Sequence, residues 1–289
     1  MALPTITRGI LFREDWLTSA GVTPWTLDSG VTLISDGDIA TIAVTTATNG
    51  ATANTGLVGT TGASNAASKL LVRAKMSGLI FNTFDIKITY GDSTTQTVTF
   101  NPGSRTDFVS QSFALTSGKD LAGSTVKILN AANSVSITMD FLIFYKELLT
   151  LPTVLQPVMF RKQRTIVEIP ILQREGGQVQ DLGSTSPEVT VSGGLVSTTS
   201  GQQGWTNTWT ADQWWQILYG LTIEAGTLQS DGNPSWQWFQ SDQIQGKMLV
   251  RGVSLAQPPG RLQYWNYTMS LKQFDVNAES TNDLVGFSY

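Results

Sequence analysis

The chain has 289 residues, with 18 Lys and Arg against 22 Asp and Glu, and its formal net charge is −4. It contains no His and no Cys, which excludes imidazole and thiolate metal sites, disulfides and nucleophilic pairs that use either residue. Only 14% of the residues are charged and the basic ones are scattered, so sequence-specific nucleic-acid binding through a basic face is not expected.

The N-terminal half predicts short β-strands. Residues 84–90 alternate apolar and polar side chains, which places Phe84, Ile86 and Ile88 on one face of a strand. Gly91 and Asp92 then predict a turn into a partner strand over 94–100. A spacing of eight to twelve residues between such strands is typical of a β-sandwich or jelly roll. Further strands are predicted at 31–35, 39–46, 69–76, 108–115, 124–129 and 134–145.

A domain boundary is predicted near residue 150. Two prolines, at 152 and 157, bracket a change in composition, because seven of the nine Trp lie between Trp205 and Trp265. The predicted domains are therefore 1–149 and 150–289. Within the first domain, residues 45–68 are small and polar, and they predict a long exposed loop or a loosely held edge strand.

The C-terminal half predicts strands around one helix. Thr210 is a good N-cap, Gln213 completes a capping box, and Trp214, Ile217 and Leu218 follow at helical spacing. Gly226 is a plausible C-terminal cap, and Gly193 with Gly194 predicts a turn after a strand. The predicted strands are 165–172, 188–192, 236–240, 247–255 and 261–274.

The carboxylates of the sequence suggest two kinds of acidic site. Asp36 and Asp38 flank a glycine and lie near Asp28, so these three carboxylates are candidate ligands for a Ca²⁺ cofactor. The alternative for this Asp-Gly-Asp segment is an ordinary hairpin turn. Glycoside hydrolysis needs only two carboxylates, but nothing in the sequence brings two of them across a cleft. No catalytic residue is therefore predicted.

The Trp-rich segment has two interpretations. Its aromatic rings could form a platform on which sugar rings stack, or they could fill a core. Because the segment contains more large aromatic side chains than one small domain can bury, some are expected to pack against a partner chain. The candidate interface residues are Trp205, Trp209, Trp215, Trp236 and Trp238.

The N-terminus lacks the pattern of a cleaved signal peptide, and no apolar run approaches membrane-spanning length. Neither a leader nor membrane insertion is therefore expected.

Residues 157–274 resemble the tail-tube-like β-barrel domain of tail and baseplate proteins, which include distal tail proteins, from tailed phages and contractile injection systems. The resemblance rests on the order and spacing of several segments. The first half is similar to a jelly-roll sandwich of the carbohydrate-binding type, through residues 12–16 and 137–144. The segments of the second half are 164–170, 177–183, 189–193, 214–218, 246–254 and 264–271.

These resemblances imply an all-β protein in which an N-terminal sandwich precedes a tail-tube-like barrel with one α-helix. They imply a non-enzymatic virion component, made in the host cytoplasm, whose barrel forms a homo-oligomeric, typically hexameric, ring. Its partners would be other tail or baseplate proteins and host-surface glycans. The alternative hypothesis is a carbohydrate-binding protein that acts through the sandwich, and a two-carboxylate enzyme is the third.

Overall fold

A computed structural model gives the structure of the chain. One helix is present among the residues it describes, and no helix in that part of the chain has the length and apolarity of a membrane span. The described residues are 3–14, 25–27, 30–36, 39–44, 50–54, 67–77, 83–102, 107–121, 124–129, 136–152, 159–161, 164–170, 177–184, 188–198, 208–225, 236–242, 244–258 and 264–274.

The chain divides into two compact units. We call Arg8–Glu147 the sandwich unit, and Met1–Thr7 together with Leu148–Tyr289 the helix unit. The elements in chain order are β1 (Thr5–Glu14), β2 (Trp25–Leu27), β3 (Val31–Asp36), β4 (Ile39–Val44), β5 (Gly50–Asn54), β6 (Lys69–Met76), β7 (Phe84–Thr89), β8 (Thr95–Phe100), β9 (Val109–Ala114), β10 (Thr125–Leu129), β11 (Ser136–Thr150), β12 (Met159–Arg161), β13 (Arg164–Pro170), β14 (Gly177–Ser184), β15 (Glu188–Leu195), α1 (Ala211–Ala225), β16 (Gln237–Gln240), β17 (Gln245–Ala256) and β18 (Trp265–Gln273).

Two antiparallel sheets form the sandwich unit. One has the strand order β9-β6-β11-β4-β3 and the other the order β2-β5-β10-β7-β8. One hydrophobic core joins their inner faces, because Leu70 and Val72 of β6 belong to the same buried cluster as Ile86 and Ile88 of β7. Burial of such alternating apolar side chains is the main stabilising contribution in a sandwich. The predicted β-sandwich is thus confirmed.

The hairpin of β7 and β8 follows the sequence pattern closely. Phe84 pairs with Phe100 and Thr89 with Thr95, so that three residues, Gly91 to Ser93, form the loop between Tyr90 and Thr94. Ser93 has a φ of 65°, in the left-handed region. A turn that ends in one left-handed residue is a common three-residue hairpin connection.

The predicted loop or edge strand at 45–68 is corrected for its described part. Residues Gly50–Asn54 form β5, which lies inside its sheet between β2 and β10. A strand of small residues is held there by backbone hydrogen bonds on both sides, which the side-chain pattern does not reveal.

The helix unit has a sheet of strand order β12-β15-β18-β17-β16, which the start of β1 extends through Thr5 and Ile6. The helix α1 packs against β17 and β15, and its buried residues Trp214, Leu218 and Leu221 join the core of this unit. The strands β13 and β14 form a separate pair. The all-β class with one described helix is confirmed, whereas a tail-tube barrel is not.

The turn predicted at Gly193 and Gly194 is wrong. Both glycines lie inside β15 and pair with Tyr267 and Asn266 of β18. A Cβ atom on Gly193 would lie 1.9 Å from the backbone oxygen of Pro152. Glycine is required here because another backbone segment approaches closely.

Candidate functional site

The start of the predicted helix fixes the position of one candidate interface residue, Trp209. The backbone N–H of Gln213 donates to Thr210 Oγ1 at 3.2 Å, and the Thr210 N–H donates to Gln213 Oε1 at 2.9 Å, so the predicted capping box is confirmed. Trp209 packs edge-on against Trp214, with ring centroids 4.7 Å apart at 84°. The Trp214 indole N–H also donates to Thr198 Oγ1 at 3.2 Å. Trp209 is therefore half-buried against its own chain.

The other four candidate interface residues differ in exposure. Trp236 and Trp238 are 0% and 1% exposed, which places both rings in the interior of the protein. Trp215 is 38% exposed and its ring lies parallel to that of Tyr219, with centroids 5.7 Å apart. Trp205 lies outside the described residues. A role for these residues in an interface stays a prediction, for which Trp215 offers the most accessible ring.

The candidate calcium ligands lie largely outside the described part of the chain. Asp28 and Asp38 are not described, and of Asp36 only the backbone, at the end of β3, is described. Among the described residues, no three acidic side chains converge as a metal site would require. The Ca²⁺ site stays a prediction.

The sandwich unit carries a polar depression of about 460 Å³. Its walls come from the β7–β8 turn and from the segment that follows β9, which are separated by about 26 residues in sequence but meet at one end of the sheet. The lining contains two carboxylates, one ammonium group, one hydroxyl and two glycines. These residues are Gly91, Asp92, Ser117, Gly118, Lys119 and Asp120.

Asp92 is fixed by both walls of this depression. Its Oδ1 accepts from the Thr94 N–H at 3.1 Å and from Thr94 Oγ1 at 2.6 Å, and its Oδ2 forms an ion pair with Lys119 Nζ. Hydrogen bonds from Lys119 and then Thr94 to the charged form lower the pKa of Asp92 to about 2. Asp92 is therefore an ionised acceptor throughout the neutral range.

Gln96 attaches the second wall to the sheet. Its side-chain N–H donates to the Ala114 carbonyl at 2.8 Å, and its Oε1 accepts from the N–H of Thr116 at 2.9 Å and from Tyr90 Oη at 2.8 Å. Burial raises the pKa of Tyr90, so the phenol stays protonated and remains a donor. This network fixes Ala114 and Thr116, which lead directly into residues 117–120.

The outer face of the same sheet is polar and rich in hydroxyl groups. In β7, β8 and β10 every second side chain points away from the core, and five of these nine are threonines. Lys87 lies directly opposite Lys127, and Asp85 Oδ1 accepts from Thr99 Oγ1 at 2.6 Å. We call this surface the outer face. Its described residues are Asp85, Lys87, Thr89, Thr95, Thr97, Thr99, Thr125, Lys127 and Leu129.

Neither the depression nor the outer face was identified from the sequence. The turn at Gly91 and Asp92 was predicted, but its partner segment, Ser117 to Asp120, carries only an ordinary turn composition. The available signal was the segment Gly118 to Asp120, which closely follows the predicted strand 108–115. This signal indicates a site only once the strand pairing is known.

No family model and no curated protein matches the chain. Among solved structures, the CBM22-1 and GH10 modules of Clostridium thermocellum xylanase 10B, complexed with xylohexaose, match at 16% identity and a TM-score of 0.38, over 48% of this chain and 29% of that one. This chain thus spans less than a third of that protein.

Two further matches are isolated modules. A variant of the carbohydrate-binding module CBM29-2, complexed with mannohexaose, matches at 15% identity and a TM-score of 0.34, over 50% of this chain and 92% of that one. The module CsCBM6-3 from Clostridium stercorarium, complexed with cellobiose, matches at 14% identity and a TM-score of 0.31, over 49% of this chain and 98% of that one.

The main functional expectation, a tail or baseplate subunit, is contradicted, because the three solved structures described above contain carbohydrate-binding modules. The tail-like motifs were individually short, and alternating strands with glycine turns occur in many β-proteins, so their order was weak support for that family.

Proposed function

We propose that the chain is a carbohydrate-binding protein that binds a glycan through the sandwich unit without cleaving it. The observation that carries the proposal is the depression lined by Asp92, Lys119, Asp120 and Ser117. Each sugar hydroxyl both donates and accepts hydrogen bonds, and this lining offers both kinds of partner. Carboxylates accept hydrogen bonds and an ammonium group donates them. Hydrogen bonds to charged groups are stronger than those between neutral groups.

The depression is also organised in advance. The network around Gln96 and the ion pair of Asp92 with Lys119 hold its two walls together. Because hydrogen bonds and an ion pair within the protein hold the walls together, binding requires little additional ordering of the protein, which favours affinity for a small ligand. The neighbouring outer face extends the polar surface along the sheet, as an oligosaccharide longer than one unit would require.

The charge state of Asp92 favours a role in binding over a role as a general acid. A glycosidase needs a carboxylic acid whose pKa is raised so that it can protonate the leaving oxygen. The pKa of Asp92 is lowered to about 2, so this residue has no proton to give near neutral pH. We infer that Asp92 acts as a hydrogen-bond acceptor for sugar hydroxyls.

Calorimetric titration of the full chain with xylohexaose, mannohexaose and cellobiose tests the proposal. We expect saturable binding of at least one of them, weakened by about tenfold or more in Lys119→Ala and Asp120→Ala, because each change removes a charged hydrogen-bonding group. Asp107→Asn, an exposed change outside the depression, is the matched control and should bind as the unaltered chain does.

Three results would count against the proposal. The first is an absence of binding to all three sugars. The second is an affinity that neither depression variant changes. The third is the release of reducing ends during incubation, which would replace the binding role with a hydrolytic one.

A further inference from the structure

We propose that the side chains of Gln96 and Gln111 protect two strand edges and thereby keep the sandwich unit from pairing with a second copy of this chain. The inference concerns the flank of the sandwich at β8 and β9, and it does not depend on glycan binding. It rests on the strand order, on four hydrogen bonds and on the composition of the two strands.

β8 and β9 are the last strands of their sheets. Among the described strands, β8 pairs only with β7 and β9 only with β6, and each has six residues. The outward side of such a strand carries backbone N–H and C=O groups that can pair with a strand of another chain. The two edges lie on the same flank of the sandwich, because a side chain of each strand reaches the backbone at the end of the other.

Neither strand has the usual protection of an edge. Thr95–Phe100 and Val109–Ala114 contain no charged residue, no proline and no glycine. Six-residue segments that are rich in β-branched and aromatic residues and lack charge are those that pair readily with identical segments. β2, at the other end of the sheet that contains β8, has only three residues and so offers a much shorter edge. Another form of protection is therefore expected at β8 and β9.

Gln111 provides this protection where β8 ends. Its Oε1 accepts from the Asn101 N–H at 3.0 Å, and its Nε2 donates to the carbonyl oxygen of the same residue. A side-chain amide carries the same donor and acceptor groups as a peptide unit. The Gln111 amide thus pairs with the backbone of Asn101 as one residue of a neighbouring strand would.

Gln96 makes the reciprocal connection to the end of β9. Its Nε2 donates to the Ala114 carbonyl at 2.8 Å, and its Oε1 accepts from the Thr116 N–H at 2.9 Å. The N–H of the intervening Leu115 donates to the Ser68 carbonyl, on the side of β6. Because backbone groups of successive residues point to opposite sides of a strand, the groups that Gln96 binds lie on the open edge. An incoming strand would need these same groups.

Both glutamines lie on the core-facing side of their strands. Gln96 is opposite Ile88 and Gln111 is opposite Val72, and both of these partners are buried in the core of the sandwich unit. The alternating pattern would favour an apolar residue at each position. A polar residue at both positions, with the donor and the acceptor of each amide in use, indicates a requirement other than core packing.

The test measures self-association of the full chain. Gln111→Leu removes both bonds to Asn101 and fits the apolar pattern, so the variant should fold. We expect its association constant, measured by sedimentation over a concentration series, to exceed that of the unaltered chain by about tenfold or more. Adding Gln96→Leu should increase association further. Hydrogen exchange in β8 and β9 should slow as the associated fraction rises, because the edges are then paired.

Gln111→Glu is the matched control. It also loses the donor to the Asn101 carbonyl oxygen, but an inward-pointing charge is itself a barrier to edge pairing. This variant should therefore be less stable without associating. Adding Thr97→Lys to the Gln111→Leu variant should reverse its association, since the outward position of Thr97 allows a charge on β8 without disturbing the core.

Three results would overturn the inference. The first is an association constant that the leucine changes leave as it is in the unaltered chain. The second is equal association of the Gln111→Leu and Gln111→Glu variants, which would attribute association to lost stability and not to open edges. The third is association that Thr97→Lys does not reverse and that leaves exchange in β8 and β9 unchanged. If Gln111→Leu does not fold, Gln111→Asn, whose amide is one methylene shorter and should lose the same bonds, takes its place.

Discussion

Thr116 donates two hydrogen bonds to the side-chain oxygen of Gln96, one from its backbone N–H at 2.9 Å and one from its hydroxyl at 3.0 Å. The two residues are 20 positions apart in sequence, and the contact joins strand β8 to the segment that leads into the depression. The Gln96 amide, together with the ion pair of Asp92 and Lys119, thus fixes the segment from Ser117 to Asp120.

Gln96→Leu should loosen this segment. The change removes the acceptor for Thr116 and Tyr90 and the donor to Ala114, and we expect it to destabilise the sandwich unit by about 1–3 kcal/mol. Hydrogen exchange should accelerate most over residues 114–120. The control is Thr97→Val, a change at the adjacent residue of β8, whose side chain points to the outer face. It should leave exchange over residues 114–120 unchanged. Equal exchange in the Gln96 variant would show that the segment is held by other contacts.

The hydrogen bonds to Asp92 should make the turn sensitive to acid. The folded-state pKa of about 2 lies below the value of 3.8 for an unperturbed aspartate, so this contribution to stability is fully present above about pH 4 and is lost as the pH falls toward 2. Asp92→Asn should remove this part of the acid dependence, while lowering stability at pH 7. Thermal unfolding between pH 5 and pH 2 measures the difference between the two proteins. Parallel curves for both would contradict the lowered pKa, and added salt should shrink the effect because Asp92 is exposed.

Ser93 offers a stabilising substitution. Its φ of 65° is strained for a residue with a Cβ atom, and Ser93→Gly should raise stability by up to about 1 kcal/mol, measured by thermal or urea unfolding. Ser93→Ala keeps the Cβ atom and should give no gain. A glycine variant that is less stable than the alanine variant would show that the entropy lost by glycine exceeds the strain relieved.

Two glycines in the helix unit should respond in opposite directions to the same change. Gly193→Ala places a methyl group 1.9 Å from the Pro152 oxygen, and we expect a loss of about 2–3 kcal/mol together with faster exchange in β15. Gly220→Ala meets no atom within 4 Å and lies inside α1, where alanine is favoured by up to about 1 kcal/mol. Similar melting temperatures for the two variants would contradict the close approach at Gly193.

Local patterns in the sequence predicted those elements whose residues are close in the chain. The alternation over Phe84, Ile86 and Ile88 gave β7, and the spacing of Thr210 and Gln213 gave the start of α1, because burial and capping depend on positions two to four residues apart. The β-sandwich followed from several such strands. These signals are physical requirements of single elements and need no knowledge of their neighbours.

Features that depend on distant partners could not be predicted in this way. Gly193 was interpreted as a turn because its contact with Pro152 lies 41 positions away, and β5 lacks the large side chains that mark a strand. The candidate site also depends on residues that are distant in sequence. Lys87 could be placed on an outward face from its own strand, but its opposition to Lys127 requires the register of β10, which no local pattern supplies.

The strict division between the two faces of β7, β8 and β10 also makes this sheet a promising scaffold for directed evolution. Core positions alternate with the nine outward positions, and changes at the latter leave the packing of Phe84, Ile86 and Val126 untouched. A combinatorial library that varies only the nine outward positions should therefore retain a high proportion of folded clones, from which new ligand specificities could be selected by display.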